Sequence, residues 1–126
     1  MKTILIVEDN EKNMKLVRDI LRHNGHATIE ATTGGDGVRL ASEKKPDLIL
    51  MDIQLPDIDG IEALRRIRED SLLDRVPVIA VSASVMPDDQ QKIVTSGFDA
   101  FVTKPINLKQ FLATVQRLLA EGRASP

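Results

Sequence analysis

The run Leu48-Ile49-Leu50-Met51-Asp52, which follows Pro46 and Asp47, decides the fold. Four consecutive apolar residues with no helical period are typical of a strand that is buried on both faces of a sheet. Asp52 ends this run, and the proline, aspartate and glycine content of residues 53–60 predicts a loop after it. A carboxylate at this position is shielded from water on the side of the buried strand and open to solvent on the side of the loop. Such a position suits a nucleophile or a metal ligand. Taken alone, however, Asp52 is more simply explained as a polar strand end.

A second apolar run ends in acid in the same way and reverses that preference. Residues Ile4-Leu5-Ile6-Val7 are followed directly by Glu8 and Asp9. Two buried strands that both end in carboxylates, within one short α/β chain, predict a convergent acidic site.

Composition limits the classes of function that the chain can have. Its 126 residues fit one domain, predicted to span residues 1–121 with residues 122–126 as a tail. Zero cysteine excludes disulfides and thiol catalysis, and it fits a reducing cytoplasm. A net charge of −2, only three aromatic residues and no apolar run near the ~20 residues that span a bilayer argue against nucleic-acid and membrane partners. We therefore expect a cytoplasmic protein without a signal peptide.

The remaining sequence alternates strand and helix patterns. Strands are predicted at residues 3–7, 26–31, 48–51, 78–81 and 100–102. Helices are predicted after Asn10, from Gly60, from Pro87 and from near Asn107, and the glycine-rich turn 32–37 is predicted to open another, with a loop at 84–86. In the third helix Ile61, Leu64 and Ile67 are expected to face inward and Arg65, Arg66 and Arg68 to face solvent. The last helix is expected to bury Leu108, Phe111, Leu112, Val115, Leu118 and Leu119.

This alternation predicts a three-layer, flavodoxin-like (βα)5 fold with a parallel sheet of strand order 2-1-3-4-5. In that order the first and third strands are neighbours and flank the point where the winding reverses, which is where open α/β sheets bind ligands. Ser82 and Lys104 close the fourth and fifth strands at the same edge. The topology therefore gathers five polar side chains around one crevice: Glu8, Asp9, Asp52, Ser82 and Lys104.

Three carboxylates around one ammonium group repel one another, and burial strengthens the repulsion. A hard divalent cation with oxygen ligands relieves it, and Mg²⁺ typically combines one or two carboxylates with waters and phosphate oxygens. The crevice therefore predicts magnesium-assisted phosphoryl chemistry. Asp52 would be the nucleophile, Lys104 would hold one phosphoryl oxygen and the Ser82 hydroxyl would donate to another.

These residues, in this order on this pattern, closely resemble the receiver domain of two-component response regulators. The resemblance covers roughly residues 2–119, and in residues 7–10 and 46–56 it is strongest to stand-alone regulators of the DivK and CheY kind. It is carried by Glu8-Asp9, Asp52, Ser82-Ala83, Phe101 and Lys104-Pro105.

The resemblance implies that Asp52 accepts a phosphoryl group from a phosphohistidine, on a histidine kinase or a histidine phosphotransfer protein. It implies a Mg²⁺ ion, for which Mn²⁺ is expected to substitute, held by Asp9, Asp52 and the main-chain carbonyl of Gln54. Glu8 would assist, commonly through water. The chain would then be a signalling switch that assists its own phosphorylation and dephosphorylation, and not an enzyme.

The resemblance also implies how the signal leaves the site. Lys104 would contact the phosphoryl group, and the Lys104-Pro105 bond would be cis. Ser82 would swing toward the phosphoryl group and Phe101 would follow it inward, which would change the surface of the fourth helix, fifth strand and fifth helix for a partner protein. Glu8 in place of the usual Asp, and Ser82 in place of Thr, are departures that remove no required atom.

Three other interpretations share parts of this pattern. A haloacid-dehalogenase-type phosphatase would need a second aspartate two residues after the nucleophile, where this chain has Gln54. A flavodoxin-type flavin binder would need a Ser/Thr/Gly phosphate loop after the first strand, where Glu8 and Asp9 would repel phosphate. A degenerate receiver that acts only as a protein-binding module stays open, although every chemical residue is present. The glycine-rich segment 34–37 lacks the spacing of a dinucleotide fingerprint and is expected to form a turn.

Overall fold

Strands and helices alternate along the chain in the computed structural model, which describes residues 2–83 and 86–123. The strands are β1 (Thr3–Val7), β2 (Ala27–Ala31), β3 (Leu48–Asp52), β4 (Val78–Ser82) and β5 (Ala100–Thr103). The helices are α1 (Glu11–His23), α2 (Gly34–Lys44), α3 (Gly60–Ile67), α4 (Pro87–Thr95) and α5 (Leu108–Glu121), and a short 3-10 turn (Ser71–Leu73) precedes β4. Each predicted element is present, with bounds that differ by a few residues at most. In the predicted loop 84–86, Ser84 and Val85 lie outside the described residues.

The five described strands form one parallel sheet of order β2-β1-β3-β4-β5, which confirms the predicted topology. Val7 of β1 pairs with Met51 of β3, so the residues that follow each strand emerge side by side at one edge of the sheet. On the other side of β3, Asp52 pairs with Val81 of β4. This register is what brings the polar strand ends together.

Residues of the central strands alternate between two hydrophobic cores, which explains why their sequences are apolar without interruption. Ile4 and Ile6 of β1 pack with α1 and α5, whereas Leu5 and Val7 pack with α2 and α3. All four side chains are at most 2% exposed. The sheet is therefore covered by helices on both faces.

Side-chain caps fix where the helices next to the crevice begin. The Asn10 side chain accepts a hydrogen bond from the Asn13 N–H at 3.0 Å and starts α1 directly after Asp9. The Asp59 side chain caps α3 in the same way, through the Glu62 N–H at 2.8 Å. Because both caps lie in the loops that leave β1 and β3, they limit the conformations of those loops.

The glycine-rich turn opens α2 as predicted, and its residues 34–37 form the first turn of that helix. The glycines let this helix approach its neighbours closely. A Cβ atom on Gly37 would lie 2.7 Å from Cγ2 of Val7, closer than real Cβ contacts come. Sequence periodicity does not reveal this close approach, because the helix contacts β1 here at a residue that has no side chain.

The predicted burial of three helix residues needs correction. Ile61 is only half-buried, whereas Ala63, which was not predicted to face inward, is buried. Leu108 is 53% exposed, because it occupies the first turn of α5 at the edge of the core. Arg68, predicted to face solvent, is largely buried because its guanidinium reaches the Leu73 carbonyl at 2.7 Å.

Arg68 belongs to a charged network at the edge of the sheet opposite the crevice. Asp99, which precedes β5, accepts hydrogen bonds from the Val78 N–H at 2.8 Å and from Arg123 Nε at 2.9 Å. Its contact with Arg68 is 3.4 Å long. Burial lowers the pKa of Arg68, and the positive charge of Arg123 adds to this. Within the described ranges, no helix is both long and apolar enough to cross a membrane.

Candidate functional site: an acidic crevice at the sheet edge

The predicted site residues lie at one edge of the sheet, each at or just beyond the carboxyl end of a strand. Glu8 follows β1, Asp52 ends β3, Ser82 ends β4 and Lys104 follows β5. Glu8 and Asp52 are each 4% exposed, whereas Asp9 is exposed.

Carboxylate oxygens of Glu8, Asp9 and Asp52 all lie within 4.8 Å of one another. Such a cluster offers only hard oxygen donors and concentrates negative charge in a partly buried place, which is the ligand chemistry that Mg²⁺ prefers. The exposed position of Asp9 leaves the cluster open on the solvent side. The residues present therefore fit a divalent cation with its waters.

Lys104 lies against two of these acids. Its Nζ atom is 3.0 Å from Oδ2 of Asp52 and 3.1 Å from Oε1 of Glu8. Burial lowers the pKa of Lys104, but the hydrogen bonds and charges of Asp52 and Glu8 outweigh burial and raise it overall. The Lys104-Pro105 peptide bond is cis, as the family resemblance implied.

The surroundings of Glu8 disfavour its charged form. Burial, followed by the hydrogen bond and the negative charge of Asp52, raises the pKa of Glu8 from 4.5 to about 7. The Asn10 N–H, which donates to Oε2 of Glu8 at 3.2 Å, and Lys104 act in the opposite direction. The crevice thus has more negative charge than Lys104 alone neutralises, and a cation would relieve the excess.

The loop that leaves β3 is fixed by the main chain. The Ile53 N–H donates to the Val81 carbonyl at 3.0 Å, and the Gln54 N–H donates to Oδ1 of Asp52 at 3.1 Å. Asp52 is therefore held on one oxygen by its own loop and on the other by Lys104. Such double anchoring sets the orientation of its carboxylate.

Sequence reasoning missed several residues of the crevice wall. The wall consists of Asp9, Asn10, Asn13, Asp52, Gln54, Leu55, Pro56 and Lys104. Asn13 is the instructive omission, since a residue three positions after a helix N-cap must lie in the first turn of that helix. With Asn10 recognised as the cap, that spacing was the available signal.

Ser82 lies in β4, the neighbour of β3, and Phe101 lies in β5 on the other side of β4. Ser82 is buried, and its carbonyl accepts from the Lys104 N–H at 2.9 Å. Ala80 pairs with Phe101, and Ser82 pairs with Thr103. Since paired residues point to the same face and the faces alternate along a strand, Ser82 and the half-buried Phe101 share one face of the sheet.

Comparison with known proteins identifies the family to which this fold belongs. Residues 4–116 match the model of the response regulator receiver domain, and the chain belongs to that family of two-component signalling proteins. Among curated proteins it is similar to the polar-differentiation response regulator DivK of Brucella anthropi and of Brucella abortus. Each is 43% identical over 121 residues, which is 96% of this chain and 98% of the relative.

Solved structures give the same result. The receiver domain of a sensor histidine kinase from Pseudomonas aeruginosa superimposes with a TM-score of 0.89 and is 32% identical. The match covers 95% of this chain and 98% of that domain. In that structure a magnesium ion is coordinated in the active site cleft. The chemotaxis protein CheY4 of Vibrio cholerae has a TM-score of 0.86 and 25% identity over 93% of this chain and 98% of its own. These neighbours confirm the predicted fold class.

Proposed function

We propose that this chain is a single-domain response regulator of a phosphorelay and that Asp52 is its phosphoryl acceptor. A histidine kinase or a histidine phosphotransfer protein would supply the phosphoryl group, and an unidentified protein would receive the signal. The chain would act in the cytoplasm as a switch and not as an enzyme, without contact to nucleic acid or membrane. Residues 1–121 would form the receiver domain, and residues 122–126 a tail.

One observation carries this proposal: the buried Asp52 carboxylate lies within one cluster with Glu8 and Asp9 and 3.0 Å from Lys104. A structural ion pair would need only one acid and one base. Three acids around one cation leave excess negative charge at the open end of the crevice. That arrangement suits a metal-assisted transfer of an anionic group.

Mg²⁺ would be held by Asp9, Asp52 and the main-chain carbonyl of Gln54, with Glu8 assisting through water, and Mn²⁺ would substitute. When bound, the ion supplies neutralisation of the charge on the transferring phosphoryl oxygens. An oxygen of Asp52 would attack phosphorus while the bond from phosphorus to the donor imidazole breaks and its electron pair returns to the ring nitrogen. Lys104 would turn from its carboxylate partners toward a phosphoryl oxygen.

Ser82 and Phe101 would transmit the change. The Ser82 hydroxyl would donate to a phosphoryl oxygen, and Phe101 would rotate toward the space that Ser82 leaves. Their position on one face of neighbouring strands supports this coupling. Because Phe101 lies in β5, between α4 and α5 along the chain, its rotation would alter the α4-β5-α5 surface that a partner reads.

Incubation with acetyl phosphate and Mg²⁺ tests the proposal. We expect the addition of one phosphoryl mass, which hydroxylamine removes as it does from an acyl phosphate. Asp52→Asn and removal of the metal with EDTA should each abolish the addition. Undiminished labelling in Asp52→Asn would refute the assignment of the acceptor, and undiminished labelling in EDTA would refute the metal requirement.

A further inference from the structure

Asp57 lies in the loop between β3 and α3 (residues 53–59), and both of its carboxylate oxygens are engaged although the residue is exposed. Oδ1 accepts from the Gly34 N–H and Oδ2 accepts from the Gly35 N–H, each at 2.8 Å. These are the first two main-chain N–H groups of α2. A carboxylate from the β3–α3 loop therefore caps the positive end of a different helix.

The close approach of the loop requires glycine at position 34 and leaves little room for a side chain at position 35. A Cβ atom on Gly34 would lie 2.5 Å from Cγ1 of Ile58, and one on Gly35 would lie 3.2 Å from Oδ2 of Asp57. Ile58 thus packs where the Gly34 side chain would be. The N–H groups of Gly35 and Gly34, in that order, hold the pKa of Asp57 at about 2, so the carboxylate stays charged at ordinary pH.

These contacts hold the middle of a loop whose ends are fixed separately. At one end, the Ile53 N–H donates to Val81 and the Ile53 carbonyl accepts from the Gly60 N–H at 2.8 Å. At the other end, Asp59 caps α3. Between these anchors lies Gln54, three residues before Asp57. Gln54 therefore lies on a loop that Asp57 ties to the first turn of α2, and its own N–H donates to Oδ1 of Asp52 at 3.1 Å.

We propose that Asp57 is a positioning residue for the metal site, which clamps the β3–α3 loop to the first turn of α2 and so holds the Gln54 carbonyl ready to ligate Mg²⁺. This inference rests on the proposed function, which makes that carbonyl a ligand. A carbonyl in a restrained loop is ordered before the ion binds, whereas in a free loop the ion must order it and affinity falls. Residues that orient metal ligands typically change metal affinity about 10- to 100-fold. Since Asp57 acts through three residues of backbone, we expect a loss of about 3- to 10-fold.

The test is the Mg²⁺ dissociation constant of the unphosphorylated chain, measured by NMR titration of amide shifts, together with amide hydrogen exchange. Asp57→Asn replaces an accepting oxygen with an NH₂ group and removes the charge. Two control variants separate the positioning of the loop from the loss of a cap on α2 and from the loss of a negative charge. Thr33→Ala removes the side-chain cap of α2 at the Asp36 N–H without touching the loop, and Asp36→Asn removes an exposed charge from the same helix turn.

We expect Asp57→Asn to speed exchange at Gly34 and Gly35 and to weaken Mg²⁺ binding by at least about 3-fold. Thr33→Ala should lower thermal stability, and both controls should keep the wild-type Mg²⁺ affinity. Unchanged affinity in Asp57→Asn, or an equal loss in either control, would overturn the positioning role. If the wild-type chain bound Mg²⁺ no better than Asp52→Asn, the metal site itself would fail, and the inference with it. A failure of the metal site can be told apart from a failure of the positioning role, because it is seen without any substitution at Asp57.

Discussion

Lys104 has two predicted roles. Before phosphorylation it pairs with Glu8 and Asp52, and afterwards it would hold the phosphoryl group. Lys104→Ala should slow phosphorylation by acetyl phosphate about 100-fold, the effect typical of losing one hydrogen-bond donor to the transition state. The same change should not weaken Mg²⁺ binding, since it removes a cation that competes for the same carboxylates. Lys109→Ala, an exposed lysine on α5, is the control for net charge. Equal and small effects of both substitutions on the rate would refute the role of Lys104.

Glu8 predicts that stability depends on pH when no metal ion is bound. Because its pKa is raised to about 7 from 4.5, the native state keeps a proton that the unfolded chain has already lost between those values. Without Mg²⁺, the free energy of unfolding should therefore decrease as pH rises from about 4.5 to about 7, and Mg²⁺ affinity should increase over the same window. Urea denaturation of wild type and Glu8→Gln in EDTA measures the first effect. The same pH slope in both proteins would show that Glu8 is not responsible.

At the scale of secondary-structure elements, Asp99 ties the start of β5 to β4 and to two arginines. It accepts from the Val78 N–H and from Arg123, and its side chain is only 9% exposed. Asp99→Ala should lower the free energy of unfolding by about 3 kcal/mol, because it leaves buried donors without a partner. Asp19→Ala, which removes an exposed pair with Lys15, should change it little. Denaturant unfolding compares the two, and equal small losses would contradict the importance of the network.

The elements themselves could be predicted because their signals are local. Apolar runs gave the strands, and Asn10, Pro87 and Asn107 marked helix starts that the structure confirms. Arg68 could not be placed, since its partner Asp99 lies 31 residues further along the chain and no periodicity encodes that contact. The capping of α2 by Asp57 escaped for the same reason. Sequence spacing identifies a helix start but not a cap supplied by another loop.

Across the whole molecule, the clustering of the candidate site residues could be predicted because it follows from the strand order. Once the strand order 2-1-3-4-5 is given, Glu8, Asp52 and Lys104 must emerge at one edge, and the structure brings them into contact. The distances were beyond prediction, because they depend on how the loops after each strand are anchored. The roles of Ser82 and Phe101 remain predictions, since they concern a change of state.

The coupling across the molecule is tested by Ser82→Ala. Moving a two-state equilibrium from 1:99 to 99:1 requires ~5.5 kcal/mol, and charge-assisted hydrogen bonds of roughly 1.5–3 kcal/mol each to the phosphoryl group can supply it. Losing the Ser82 bond should therefore leave phosphorylation intact but reduce the response of the α4-β5-α5 surface. Amide shifts with and without beryllofluoride measure that response. A full wild-type pattern of shifts over residues 86–112 in Ser82→Ala would contradict the mechanism.

The most direct test of the central claim is to locate the phosphoryl group on the chain. The wild-type protein is phosphorylated by acetyl phosphate with Mg²⁺, the acyl phosphate is reduced with borohydride to an alcohol, and the modified peptide is mapped by mass spectrometry. The aspartyl-phosphate switch predicts a single modified residue, Asp52, and none in a parallel sample with EDTA. Modification of Asp9 or Glu8 instead of Asp52, or equal modification without the metal, would contradict it.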